Sequence, residues 1–177
     1  MSTATVDVLR GIPILKNLNE DECRDLAEIA HVMTFNPGEV VLREGKQSQN
    51  LWVVLEGECE VFRKDDEDPS REIILARLGR HENFGEMSFF HPAPHSASVR
   101  AKSEVKLFRL GRSGFDRLIE AGNTAAYKLA YNSVESLAGR LRRMDDWVAR
   151  LVKQAEDGGR LHEWSHFRNK LFTKWSL

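Results

Sequence analysis

The sequence predicts a mainly β fold, a β jelly roll with flanking helices, followed by a long C-terminal helix suited to dimerisation. Three observations carry that prediction. Between Glu39 and Leu110 short apolar runs alternate with glycine turns. Helical periodicity brackets this stretch on both sides. Beyond Gly122 the apolar positions fall into an unbroken heptad register. A length of 177 residues suits one domain with an appended helix or tail, and folding at that size buries roughly 70% of the extended chain's surface.

The first 35 residues read as helical. Asn19 followed by Glu20-Asp21-Glu22 gives a cap and an acidic first turn, and Cys23, Leu26, Ala27, Ile29 and Ala30 supply an apolar side. The pattern breaks at the turn signal Phe35-Asn36-Pro37-Gly38. Strands are then expected at Val40–Leu42, Leu51–Leu55, Cys59–Phe62, Ile73–Leu78, Ser96–Ala101 and Val105–Leu110. The acidic run Asp65-Asp66-Glu67-Asp68-Pro69-Ser70 reads as an exposed hairpin tip, since Pro69 interrupts any calcium-loop pattern. Many short strands at this spacing indicate a sandwich or small barrel rather than βαβ crossovers.

Helical spacing returns at Phe115, Leu118 and Ile119. After Gly122-Asn123-Thr124 a longer helix places Tyr127, Ala130, Val134, Leu137, Leu141, Met144, Val148, Leu151 and Ala155 at alternating steps of three and four. A second copy would bury this stripe along its whole length, so a parallel homodimer through residues 124–157 is the expected partner arrangement. Packing within the chain and pairing with a different partner are the alternatives. Residues 1–123 are expected to form the lead-in and jelly roll, 124–157 the helix, and 158–177 a basic aromatic tail. The tail carries four basic residues (Arg160, Arg168, Lys170, Lys174) against Glu163, with Leu161, Trp164, Leu171 and Trp175 near one helical face. Folding back, docking a protein partner and touching an anionic membrane are its three readings.

Composition excludes several classes. With 26 Lys plus Arg against 27 Asp plus Glu, the chain has no global field to hold nucleic acid. Cys23 and Cys59 are the only cysteines, too few for a disulfide scaffold or a four-thiolate zinc site. No apolar run approaches the ~20 residues that span a bilayer, and the N-terminus lacks a signal-peptide pattern, so a cytoplasmic location is expected. Catalysis has little support. His91 and His95 flank Pro92 and Pro94 and form no helical metal pair, and His162 with His166 lacks a third spaced ligand. No enzyme activity and no metal are expected.

The functional signal is Phe84-Gly85-Glu86-Met87-Ser88-Phe89-Phe90, followed by His95-Ser96-Ala97-Ser98-Val99-Arg100-Ala101. Together with Pro37-Gly38-Glu39-Val40, the Leu55-Glu56-Gly57 turn and the long final helix, it resembles the phosphate-binding cassette of the cyclic nucleotide-binding domain family. That family includes catabolite-activator-like regulators, regulatory subunits of cyclic-AMP-dependent kinase, and cyclic-nucleotide-gated channels. The resemblance covers about Leu15 to about Val152. It implies a cyclic AMP or cyclic GMP ligand held by Gly85, Glu86, Met87, Ser88, His95 and Ser96. In this pose Gly85 lets the backbone approach, Glu86 accepts from the ribose 2′-hydroxyl, and Ser96 donates to the phosphate. Arg143, with Arg140 and Leu141, would supply a base or lid contact from the long helix.

The family places arginine directly before the small-residue pair, where its guanidinium grips the phosphate. Here that residue is His95, which offers neither a permanent charge nor a planar donor fork. Three readings follow: a sensor with weak or altered ligand binding, a non-binding cassette in a structural or adaptor dimer, or a site for another small anion or metabolite. The resemblance also implies that the transcriptional members' helix-turn-helix domain is missing after the long helix, so direct sequence-specific DNA binding is not expected. Function would then run through a protein partner.

Overall fold

The run Leu51-Trp52-Val53-Val54-Leu55 has no polar alternation, so a strand built from it must be covered on both faces. The computed structural model, which describes residues Ser2–Thr3, 6–9 and 11–157, shows how. The elements run β1 (Ser2–Thr3), α1 (Val6–Leu9), a 3₁₀ turn (Pro13–Leu15), α2 (Glu20–Ile29), β2 (Ala30–Phe35), β3 (Val40–Leu42), β4 (Asn50–Glu56), β5 (Cys59–Lys64) and β6 (Glu72–Leu78). Then come β7 (Asn83–Phe84), α3 (Glu86–Phe90), β8 (Ser98–Ala101), β9 (Val105–Gly111), α4 (Arg112–Glu120) and α5 (Thr124–Asp157). Two antiparallel sheets form, one ordered β1-β2-β9-β4-β7 and the other β3-β8-β5-β6. This is the expected jelly-roll-like β core with flanking helices and one long C-terminal helix.

Alternation along β4 explains its composition. Trp52 and Val54 join Leu42, Cys59, Leu78, Phe84, Val99, Ala101, Val105 and Leu107, a core drawn from both sheets. Leu51, Val53 and Leu55 point the other way, onto residues of the helices: Leu9, Ile14, Leu26, Phe89, Phe115, Ala125 and Leu129. One strand thus holds two cores together.

The chain divides into two units, Met1–Ser133 and Val134–Leu177. The first holds both cores and the opening turns of α5. In the second, the described part is helix through Asp157, and Val134, Leu141, Met144 and Trp147 have their side chains exposed. The heptad positions through Leu151 are therefore helical as read; Val134, Leu141 and Met144 among them are exposed, whereas Ala130 packs against the helix-side core of the first unit. The side chain of Ala155, and the whole tail 158–177, lie outside the described residues.

Two sequence expectations change. The helical reading of the first 35 residues is interrupted, because α2 stops at Ile29 and Ala30–Phe35 is strand β2. His31-Val32-Met33-Thr34-Phe35 pairs residue for residue with β9, and this tertiary pairing outweighs the helical spacing of the apolar residues. The strand expected at Ser96 starts at Ser98. Both cysteines are buried, and burial pushes the Cys59 thiol up to about 11. No helix among the described residues is long and apolar enough to cross a membrane.

Candidate functional site

Gly85 ends β7 and opens α3 with a left-handed backbone, φ +81°. A Cβ there would lie 2.5 Å from the Asn50 carbonyl oxygen and 3.2 Å from Trp52 Cδ1. Both the dihedral and the close approach require glycine. At the other end of α3, Arg112 Nη1 donates to the Phe89 carbonyl at 2.7 Å and lies 3.4 Å from that of Phe90. The C-terminal carbonyls are thus capped by a cation, which favours the helix dipole. Phe89, Phe90 and Phe115 meet edge to face behind the helix. This segment is therefore positioned from both ends.

Glu86 is buried, 3% exposed, and accepts from Asn83 Nδ2 at 3.3 Å. Ser88 is buried on the same short helix. Its hydroxyl lies 3.0 Å from His95 Nδ1, and the Ser48 hydroxyl lies 2.8 Å from His95 Nε2. The His95 backbone is tied as firmly: its N–H donates to the Lys46 carbonyl at 2.8 Å, and its carbonyl accepts from Gly45 N at 2.9 Å. Ser98 Oγ accepts from Glu44 N at 3.0 Å beside it. His95 thus fastens the loop after β3 to the cassette.

Burial holds the His95 pKa below the usual imidazole value. A neutral ring has one donor nitrogen and one acceptor, and serine hydroxyls serve in either role, so both contacts are satisfied without a charge. A serine–histidine contact can also be half of a catalytic dyad. Here the second ring nitrogen faces a hydroxyl instead of an orienting carboxylate, and the arrangement reads as a structural tie. Among the described residues no group of three or more His, Cys, Asp or Glu is placed to hold a metal ion.

Of the residues singled out from sequence, Gly85, Glu86, Ser88 and His95 come together. Met87 turns its side chain outward, 62% exposed, and Ser96 is exposed. Arg143 belongs to the second unit, where it is exposed. Sequence reasoning missed Ser48 and Asn83. Asn83 carries a local signal, three residues before Glu86. Ser48 carries none, because only the fold brings it 47 positions along the chain to His95.

Comparison with known proteins adds to this geometry. The family model described as "Cyclic nucleotide-binding domain" matches residues 32–121. A curated relative, the cAMP-dependent protein kinase regulatory subunit of Emericella nidulans, is 32% identical over 73% of this chain and 30% of its own length. Five such fungal regulatory subunits match, and the chain spans between 24% and 32% of their lengths. Among solved structures, the N-terminal domain of a transcriptional regulator from Streptomyces coelicolor A3(2) is 31% identical, with a TM-score of 0.63 over 79% of this chain and 94% of that one. The regulatory subunit of a cAMP-independent protein kinase A from Trypanosoma brucei is 25% identical, with a TM-score of 0.61 over 73% of this chain and 46% of that one. A triple variant of the trypanosomal protein, with one threonine replaced by arginine, is described bound to cAMP in its A site. These relatives are described as regulatory subunits and as the N-terminal domain of a transcriptional regulator.

Proposed function

This chain belongs to the cyclic nucleotide-binding domain family, and from that premise we propose that it is a regulatory module sensing a cyclic nucleotide, cyclic AMP or cyclic GMP, weakly or with altered specificity. The observation that carries the reading is the pairing of left-handed Gly85 with buried Glu86 at the head of α3. It leaves a close backbone approach next to a carboxylate able to accept from a ribose hydroxyl. The module acts on a protein partner in the cytoplasm as a homodimer through α5, with Arg143 available to a bound base. His95 contributes shape and hydroxyl-backed hydrogen bonding where the family pattern has a guanidinium, which accounts for weakness or a shifted preference.

Isothermal titration with cyclic AMP and cyclic GMP tests this. Glu86→Ala should weaken binding at least about tenfold, since a hydrogen bond to a charged group is worth about 1.5–3 kcal/mol. His95→Arg should tighten it by restoring the fork. Unchanged affinity in Glu86→Ala rejects the pose.

A second reading rests on one observation: both ring nitrogens of His95 are already engaged by Ser48 and Ser88. In it the cassette is a structural tie in an adaptor dimer and takes no nucleotide. It predicts no heat with the unaltered chain, and none with His95→Arg.

A further inference from the structure

On the inter-sheet face of β4 and β9, the residues around Gly85 include a buried donor with no acceptor. Trp52 is 5% exposed, and its Nε1 is the one fully buried side-chain nitrogen or oxygen among the described residues without a hydrogen-bond partner. Such groups are rare because an unmet buried donor costs free energy. The indole is held in place, stacked on Phe84 with centroids 6.2 Å apart and met edge-on by Phe35 at 5.9 Å. Its Cδ1, the atom bonded to Nε1, faces Gly85 at the position where any other residue would carry a Cβ.

Arg109 sits directly opposite Trp52 in the antiparallel register, so both point to the same face of the sheet. Its guanidinium carbon lies 6.0 Å from the indole centroid. Nε donates to Asn50 Oδ1 at 2.8 Å, and this amide is its one hydrogen-bond partner among the described residues. No carboxylate pairs with it there, whereas Arg24, Arg63, Arg71, Arg100 and Arg112 all have one. An arginine half-buried on an inward-facing position, with its terminal amino groups uncommitted, is a fixed positive charge in reserve. Asn50 joins the two halves, its side chain holding Arg109 and its carbonyl lying against Gly85.

We infer that Arg109 and the Trp52 indole N–H form an oxyanion-binding subsite beside Gly85, taking a phosphoester or carboxylate group, in place of the guanidinium absent at position 95. Arg109, the more accessible of the pair, receives the anion, and the indole N–H supplies a second, directional donor once the group enters. The subsite rests on the proposed sensing role only in taking Gly85 as a wall shared with the nucleotide. Its donors define the ligand class by themselves: they are donors only, one of them permanently charged, and they suit acceptor-only oxygens.

The test follows indole N–H resonances of the full chain by ¹⁵N-correlated NMR, with Trp52→Phe identifying the Trp52 signal. Inorganic phosphate and, separately, acetate are titrated in. The expected result is a saturable shift of the Trp52 resonance and the Gly85 amide with one anion or both. The anion that produces it names the class. Arg109→Gln should weaken that response about tenfold or more, and Arg109→Lys less, since the charge remains without the fork. If Arg109→Gln does not fold, Trp52→Phe carries the test through the Gly85 amide, where affinity should fall severalfold. A Trp52 resonance unmoved by either anion overturns the subsite, as does a response that Arg109→Gln preserves. Cyclic AMP calorimetry on the same sample judges the sensing role separately, because phosphate and acetate have no ribose for Glu86 to hold.

Discussion

At the scale of single residues, His95 decides how the cassette behaves with pH. The imidazole is buried and its pKa is held below the reference value of 6.5 by desolvation. The unfolded chain therefore takes up a proton at a higher pH than the folded chain does. A depressed folded-state pKa gives stability that is fully present above the unfolded value and is lost as pH falls through it toward the folded one. We expect unfolding free energy from urea titrations to drop between pH 7 and pH 5, and His95→Gln to flatten that drop. An equal slope in the variant would assign the pH dependence to other groups. The same residue shows what sequence can and cannot reveal. That position 95 departs from the arginine pattern is visible in the sequence. That its ring is closed off by Ser48 and Ser88 is not, since Ser48 reaches it only through the turn after β3.

At the scale of elements, the clearest device is the junction of α2 with the start of α5, both in the first unit. Asn19 and Glu22 form a capping box: Asn19 Oδ1 accepts from Glu22 N at 2.9 Å, and Glu22 Oε2 accepts from Asn19 N at 2.8 Å. Glu22 also accepts from Thr124 Oγ1 at 2.8 Å and from Lys128 Nζ at 2.7 Å. Lys128 beside it is the largest influence holding its carboxyl below the usual range. Asn132 adds two donations to the Ile14 and Lys16 carbonyls. The acidic cap was legible from Asn19-Glu20-Asp21-Glu22, but its second task was not, because Lys128 lies 106 positions away. Likewise β2 was hidden, as its apolar residues continue the helical spacing of α2 while its pairing partner is β9. Glu22→Gln should destabilise the fold by about 1–3 kcal/mol, by weakening hydrogen bonds to a buried charge. A double-mutant cycle with Lys128→Met should return a coupling of about 0.5–3 kcal/mol in thermal unfolding, as expected for contacting residues. Additive losses would mean that the Glu22–Lys128 contact contributes no coupling of its own.

At the scale of the whole molecule, the two units differ in what they can do alone. The first has a core on each face of its five-stranded sheet and meets its own burial requirement. The described part of the second is one helix, and a single helix cannot bury its own apolar stripe. Val134 is 64% exposed and Met144 51%, with Leu141 on the same register at 36%. The heptad order of these positions was legible in full, because helical periodicity is local and needs no tertiary knowledge. What covers them is not local information. A second copy in parallel places like positions against one another, a against a and d against d, so the steps of three and four along Val134, Leu137, Leu141, Met144 and Val148 are satisfied without any other partner. Leu141 lies at the middle of that series, where an introduced charge is hardest to solvate. Leu141→Glu should therefore convert a dimer to monomers by light scattering, while the circular dichroism of the β core is unchanged. Val134→Glu, nearer the end of the seam, should shift the equilibrium less. A dimer that survives Leu141→Glu removes the stripe as its basis and leaves the exposed face of α5 to a different protein.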